Sequence, residues 1–440
     1  MSNIISSPTQ ERSPKDVVKK LHSCIDNVAQ NIKCYCYDPV TDFTRNRVWT
    51  PFRLINYLIQ MESKPMQSEL DNYFIGCDNV PYDSSLCQQR AKLMPDAFGR
   101  VLYLFTRSFR HEKTINGYYL LASDGSDLNI PYDPFDRETA HASRGEEYSQ
   151  FHINALYDCL NHVYWDVNID LPCKTRESGA LKDMISERNY PLKSIVTADR
   201  GYEGYDLMAC CIESGQKFVF RAKDIGSTGI LRSCGLPDGE FDVDIEKILT
   251  RKQTKETKSN KQKYTLLVNT IKFSYLDITE DFYKMNLRVV CVRLGEDKYE
   301  YLITNLDRDE FDMDDMKELY HYRWEIESSF RKLKYTVGLV NFRSRKRDFI
   351  RQEIFARFIL YNLSSIIAAG IRKKDKGKKY ELASNFARSV CNVRLFLRNN
   401  INETELIKRI KKYLIPIRPD RSYPRKVKPQ SAKSFNNRAA

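Results

Sequence analysis

The chain has no C-x-x-C pair, no apolar run long enough to cross a bilayer and no H-E-x-x-H motif. Its twelve cysteines are spaced wrongly for zinc: Cys34 and Cys36 are one residue apart, and Cys210 and Cys211 are adjacent. That excludes a zinc ribbon or finger. Cys291, in an apolar run, and Cys210, on an expected helix, read instead as buried, reduced thiols. The six histidines are scattered, which excludes a zinc hydrolase of the H-E-x-x-H kind. The longest apolar stretch near the C-terminus, Phe358 to Ile371, is broken by Asn362, Ser364 and Ser365. It falls short of the roughly 20 residues a membrane span needs. The first sixteen residues are polar and lack the apolar core of a signal peptide. These absences predict a cytoplasmic protein with no membrane partner.

Acidic residues are scarce at the C-terminal end. From Asn341 to Ala440 there are 26 Lys and Arg against 7 Asp and Glu, a net +19. The whole chain carries +13, so the first 340 residues carry −6. A basic excess confined to one end suggests contact with a polyanion, although a solvated basic surface has the same composition. With 440 residues, 42% hydrophobic and 29% charged, the chain is long enough for two or three domains.

Several short helices are expected from Val48 to Thr106, one opening at Pro51, where a lost N–H costs little. They could form a DNA-binding domain or a plain helical cap. Strands follow at Tyr118–Ser123, Gln150–Tyr157 and Val163–Ile169, the last two joined by a turn at Asn161-His162. A helix at Thr175–Arg188, a short strand at Ser194–Ala198, a helix at Tyr205–Glu213 and a strand at Lys217–Arg221 complete an α/β pattern: a mixed sheet with helices against it. From Ala222 to Asn286 the rhythm changes to turn-rich and β-rich sequence, with a basic run, Arg251–Lys263, expected at an exposed hairpin tip. Strands resume at Leu287–Leu294 and Tyr299–Leu306. A long helix is expected from Asp312 to Thr336, favoured by Asp312, Asp314 and Asp315 at its positive end. Further helices are expected at Phe349–Arg372 and Glu381–Leu397. The Pro-, Arg- and Lys-rich final stretch is expected to be disordered without a partner.

Two carboxylates are expected at strand ends, Asp124 in ASDGSDLNIP and Asp199 in VTADRGYEGYD. Gly125 and Gly201 follow them and would let the backbone turn, exposing each acid at a sheet edge. Read alone, an Asp before Gly is equally a turn residue. The long helix adds a pattern of a different kind. Tyr320, Arg323, Glu327 and Lys334 fall at about 0°, 300°, 340° and 320° around a helix of about 100° per residue, a stripe roughly 60° wide. Ile326, Phe330 and Leu333 lie to one side and can pack on the sheet. An Arg–Glu pair at i, i+4 is also common on surface helices.

The segment YHYRWEIESSFRKLK matches throughout the Y-x2-R-x3-E-x6-K signature of the insertion-sequence-four group of DDE transposases. The DGS at Asp124, the DRGY at Asp199, YLITNL before the helix and the RPDR…PRK tail also resemble that group, over roughly residues 50 to 435. The resemblance implies a ribonuclease H-like fold with an inserted β subdomain between the second Asp and the Glu, which are 128 residues apart. On that basis the chain divides into a polar N-terminal segment (1–47), a helical region (48–110) and a core in two parts (111–221 and 287–345). The inserted subdomain (222–286) separates those parts, and C-terminal helices (346–415) and a basic tail (416–440) follow.

The resemblance implies cut-and-paste transposition of an insertion sequence. Asp124, Asp199 and Glu327 would be the catalytic residues and would hold two magnesium ions, with manganese as a substitute. Asp124 would bridge the two ions. Tyr320, Arg323 and Lys334 would contact DNA. The partners implied are terminal inverted repeats and target DNA, held by a homodimer, with excision through a hairpin carrying a flipped base. Two other functions use the same residues: a repurposed transposase that binds DNA without cutting it, and a related nuclease that cuts without joining.

Overall fold

A computed structural model describes residues 4–6, 12–45, 47–62, 64–109, 113–143, 146–171, 177–187, 193–268, 273–276, 280–296, 298–342, 344–371, 380 and 382–417. The basic tail expected from 416 onward lies almost entirely outside the described residues.

Thirteen α-helices are found among them: α1 (Pro14–Gln30), α2 (Pro51–Gln60), α3 (Met66–Tyr73), α4 (Asp83–Arg90), α5 (Asp96–Arg107), α6 (Glu177–Glu187), α7 (Tyr205–Glu213), α8 (Lys255–Ser259), α9 (Met313–Tyr322), α10 (Trp324–Arg331), α11 (Arg347–Ala369), α12 (Phe386–Leu397) and α13 (Glu403–Lys412). The strands are β1 (Ile4–Ser6), β2 (Lys113–Ile115), β3 (Tyr119–Ile130), β4 (Ala140–Ser143), β5 (Glu146–Asp158), β6 (Val163–Asp170), β7 (Ser194–Ala198), β8 (Lys217–Arg221), β9 (Phe241–Thr250), β10 (Tyr264–Leu266), β11 (Phe282–Gly295), β12 (Lys298–Thr304), β13 (Leu382–Ser384) and β14 (Leu414–Pro416).

One ten-stranded mixed sheet organises the chain, in the order β10-β9-β11-β12-β8-β7-β3-β5-β4, with β6 also on β5. The pairs β3–β7 and β7–β8 are parallel, as the intervening helices α6 and α7 require. The segment 222–286 adds β9 and β10 to the far end of this same sheet, and the expected boundary at 286 falls inside β11. The basic run 251–263 is not a hairpin tip. It holds α8, capped by the Thr254 side chain, and the flanking strands β9 and β10 are parallel.

Alternation sorts the side chains into two cores. Leu120, Ala122, Leu128 and Ile130 of β3 join the core shared with α1, α2, α5, α10 and α11. Leu121 joins the opposite core, with α6 and α7. Within the stretch expected to be polar and N-terminal, α1 is a full helix burying Val17, Leu21, Cys24, Ile25 and Val28. Its charged residues lie on the other face, so its mean hydropathy gives no hint of burial. The helices of 48–110 pack against α11 rather than standing apart.

The apolar stretch around Phe358–Ile371 is the core of α11, in which every residue from Phe349 to Ala368 except Arg351 is buried. The polar residues that break the stretch help fix the helix. Asn362 accepts from Tyr164 N and donates to Tyr164 O, both at 2.8 Å, so its amide caps the β6 edge as a neighbouring strand would. Ser365 donates to His162 O at 2.6 Å. No helix among the described residues is long and apolar enough to cross a membrane.

A buried ion pair ties α4 to α11. Arg90, 1% exposed, donates to Glu353 Oε1 at 3.2 Å, to Gln352 Oε1 at 3.1 Å and to Phe349 O at 2.8 Å. Removing one partner strands a buried charge. Glu353→Ala is therefore expected to cost about 3–5 kcal/mol, read as a lowered urea midpoint, whereas a surface truncation such as Glu256→Ala should leave the midpoint unchanged within about 0.5 kcal/mol.

Candidate active site

Strand register brings the two aspartates together. Tyr119 to Ala122 of β3 face Ser194 to Thr197 of β7 in parallel. Two residues further along, Asp124 and Asp199 emerge side by side on the same face. Asp199 follows the last residue of β7 and accepts from Gly201 N at 2.7 Å, capping the turn Arg200–Tyr202. Tyr202 is fully buried and anchors that turn in the core beneath.

Asp124 is not at a strand end. β3 continues six residues beyond it to Ile130, because β5 stays paired to it as far as Ser149 and Leu128 and Ile130 remain buried. Gly125 therefore makes no turn. Its lack of a side chain serves another purpose: a Cβ there would collide with Glu177 Oε1 and meet His152 Nε2 at 2.6 Å.

The expected long helix is present but broken twice. α9 opens with a capping box, Asp312 with Asp315. At Arg323 the backbone tightens, with Arg323 N donating to Tyr320 O at 3.1 Å, and α10 follows. From Lys332 to Val337 the turn widens to a π-helix, closed by Gly338 at φ 92°. α10 packs on the Asp124 face of β3 with Ile326 and Phe330 buried, and reaches β6 through the bond between Ser329 Oγ and Tyr164 Oη at 2.7 Å.

The signature side chains lie on this inward face. Arg323 is 4% exposed and donates to Glu327 Oε1 at 3.2 Å. Lys334 reaches β3 itself, donating to Ser126 Oγ at 2.8 Å and Asp127 O at 2.7 Å. Tyr320 departs from expectation. It is 1% exposed, its ring 5.5 Å from the Arg323 guanidinium, so as it stands it offers no surface to DNA. The reason is the tight turn after it, which folds Arg323 back over the ring.

The electrostatics bind these groups into one site. Burial pushes the Asp124 carboxyl up to about 7; the Arg323 cation opposes this, while Glu327 and Asp199 add to it. Burial works against the Arg323 charge, yet Tyr320, Asp124 and Glu327 leave its pKa above the ordinary arginine value. Burial draws Lys334 below its ordinary value against the pull of Asp127 and Asp124. Among the described residues no group of three or more His, Cys, Asp or Glu stands ready to hold a metal. Glu327 is turned to Arg323. The donors nonetheless suit a hard divalent ion: they are carboxylates, and their mutual repulsion at Asp124 is what a cation would relieve.

Behind Gly125, on the opposite face, lies a group that the sequence did not reveal. His152 Nδ1 is 2.8 Å from Asp127 Oδ1, its cross-strand neighbour, and Nε2 is 3.4 Å from Glu177 Oε1. Only the β3–β5 register could disclose it, since 25 residues of sequence separate Asp127 from His152, the residue facing it.

The family description Transposase DDE domain matches residues 115–363. Transposase InsG for insertion sequence element IS4, from Escherichia coli strain K12, is 24% identical over 294 residues, 64% of this chain. The match spans 60% of that relative's length, less than two thirds. A piggyBac transposase synaptic complex with hairpin DNA, solved by cryo-EM, aligns over 96% of this chain and 90% of that one at 11% identity and a TM-score of 0.42.

The His152 group carries a pH signature. Burial disfavours its cation, but Asp127 and Glu177 prevail and push it from 6.5 up to about 9. A folded-state value raised above the unfolded one gives stability that is complete below 6.5 and lost as pH rises through 9. The wild-type melting temperature should therefore fall between these pH values by more than that of His152→Gln. Parallel curves for the two proteins would contradict the assignment.

Proposed function

Because the chain belongs to the transposase DDE domain family, we propose that it excises and inserts a DNA element by cleaving and rejoining phosphodiester bonds at a site built on Asp124, Asp199 and Glu327. The observation that carries this reading is the β3–β7 register, which brings Asp124 and Asp199 to one face; burial raises the Asp124 carboxyl most, Arg323 opposes it, and Glu327 and Asp199 add to it. The meander β3-β5-β6, followed by α6 and by β7 parallel to β3, supports a ribonuclease H-like core.

The residues divide the work. Magnesium, or manganese in its place, bound as two ions by Asp124, Asp199 and Glu327, would supply charge stabilisation at the leaving oxygen and a more acidic water. Arg323, buried and cationic, offsets the carboxylates and orients Glu327. Tyr320 positions Arg323 from beneath. Lys334 spends two of its three N–H donors on β3, so its ammonium is held still with one donor left for a phosphate next to the reacting one. The partners in this reading are terminal inverted repeats and target DNA, brought together by a homodimer. Hairpin excision belongs to the same proposal. The Arg323–Glu327 ion pair favours a second reading, a DNA-binding protein that no longer cuts.

The test is cleavage and joining of DNA carrying the repeats that flank the gene, with magnesium. Asp124→Ala, Asp199→Ala and Glu327→Ala are each expected to abolish cleavage and keep end binding. Cleavage surviving in one variant would remove that residue from the set. Binding without cleavage by wild type would favour the second reading. Lys334→Ala should weaken end binding and reduce its salt dependence by about one phosphate contact; an unchanged salt slope would deny that contact.

A further inference from the structure

The segment 131–139, between β3 and β4, holds the most exposed large apolar side chain among the described residues. Phe135 is 94% exposed, and Pro134 beside it is also exposed. An exposed aromatic on a loose loop would mean little, but this loop is pinned. Phe135 N donates to Asp133 Oδ1 at 3.0 Å, and Glu138 N donates to Asp136 Oδ1 at 3.2 Å. Arg347, at the start of α11, clamps both Asp136 and Glu138. The backbone that carries the ring is thus held in place.

Its position follows from the strand. β3 leaves the sheet's carboxylate edge at Asp124, and the π-turn after α10 accompanies it, Lys334 bonding Ser126 and Asp127. The chain then reaches Arg347, which grips the loop where β3 ends. Six residues of strand at about 3.3 Å each put Ile130, where the loop begins, about 20 Å from Asp124. The loop crosses from Ile130 to Ala140, both opposite Ser149 of β5, and its clamp comes from α11. It therefore lies on the same face of the sheet as Asp124. Asp136 and Glu138 are engaged by Arg347, while Arg137, Arg345 and Lys346 are exposed nearby.

Resting on the reading of Asp124, Asp199 and Glu327 as a DNA-cleaving centre, we propose that Phe135 is a contact for the end duplex about 20 Å along from the phosphate being cut. At about 3.4 Å per base pair this is about six base pairs. An exposed Pro-Phe tip with Arg137, Arg345 and Lys346 nearby, its neighbours Asp133 and Asp136 engaged by Phe135 N and by Arg347, has the chemistry of a side chain that wedges between or stacks on bases. An interface with a second protein copy would instead favour a core depleted of charge.

The experiment uses the full chain and a duplex of about 30 base pairs, some 100 Å long, carrying the flanking repeat. Phe135→Ala is expected to weaken duplex affinity about tenfold, the scale of one lost base–aromatic stack, and Phe135→Trp to restore it. The melting temperature should not change, because the ring is exposed. A photo-crosslinking benzoylphenylalanine at position 135 should mark DNA about six base pairs from the cut. Unchanged affinity of Phe135→Ala, or crosslinks only to a second copy of the chain, would overturn the proposal while leaving wild-type cleavage intact. Failure of wild type to bind or cut would overturn the reading beneath it as well.

Discussion

Parallel pairing of β3 with β7 is the constraint on which the site depends. The two strands share a register that carries Asp124 and Asp199 to adjacent positions on one face. A slip of one residue would send one of them to the opposite core, because side chains alternate. The register is secured by buried Leu120, Leu121 and Ala122 against Ile195, Val196 and Thr197. The two acids are thus made neighbours by apolar packing that has no part in chemistry.

Bringing carboxylates together costs energy, and the fold sets two cations against them. Arg323 is nearly inaccessible and sits among Tyr320, Asp124 and Glu327. Lys334 is fastened to the strand beside Asp124. Irregularities in the helix make this possible. The tight turn at Arg323 and the π-turn at 332–337 shift two cations relative to a straight helix, and such interruptions concentrate at functional sites. α11, buried along nearly its whole length, is the platform that holds β6 and the π-turn at 332–337 in place.

Local features were legible in the sequence. The capping acids of α9, the Arg323–Glu327 spacing and the two short strands before α7 and after it all follow from nearest-neighbour rules. What depended on register was hidden. That β3 runs past Asp124, that Gly125 clears space for Glu177, and that His152 faces Asp127 are consequences of pairing with β5. The burial of Tyr320 was hidden as well, because spacing on a regular helix does not show where the backbone tightens. α1 was missed because its apolar stripe is diluted by charge.

The proposed site requires three carboxylates, far apart in sequence, to bind the same pair of cations. Ferrous iron takes oxygen ligands as magnesium does and, with peroxide and ascorbate, cuts the backbone next to where it binds. Iron-directed cuts are expected near residues 124, 199 and 327 in the same molecules, suppressed together by excess magnesium. Cuts near only one of these positions, or cuts insensitive to magnesium, would contradict it.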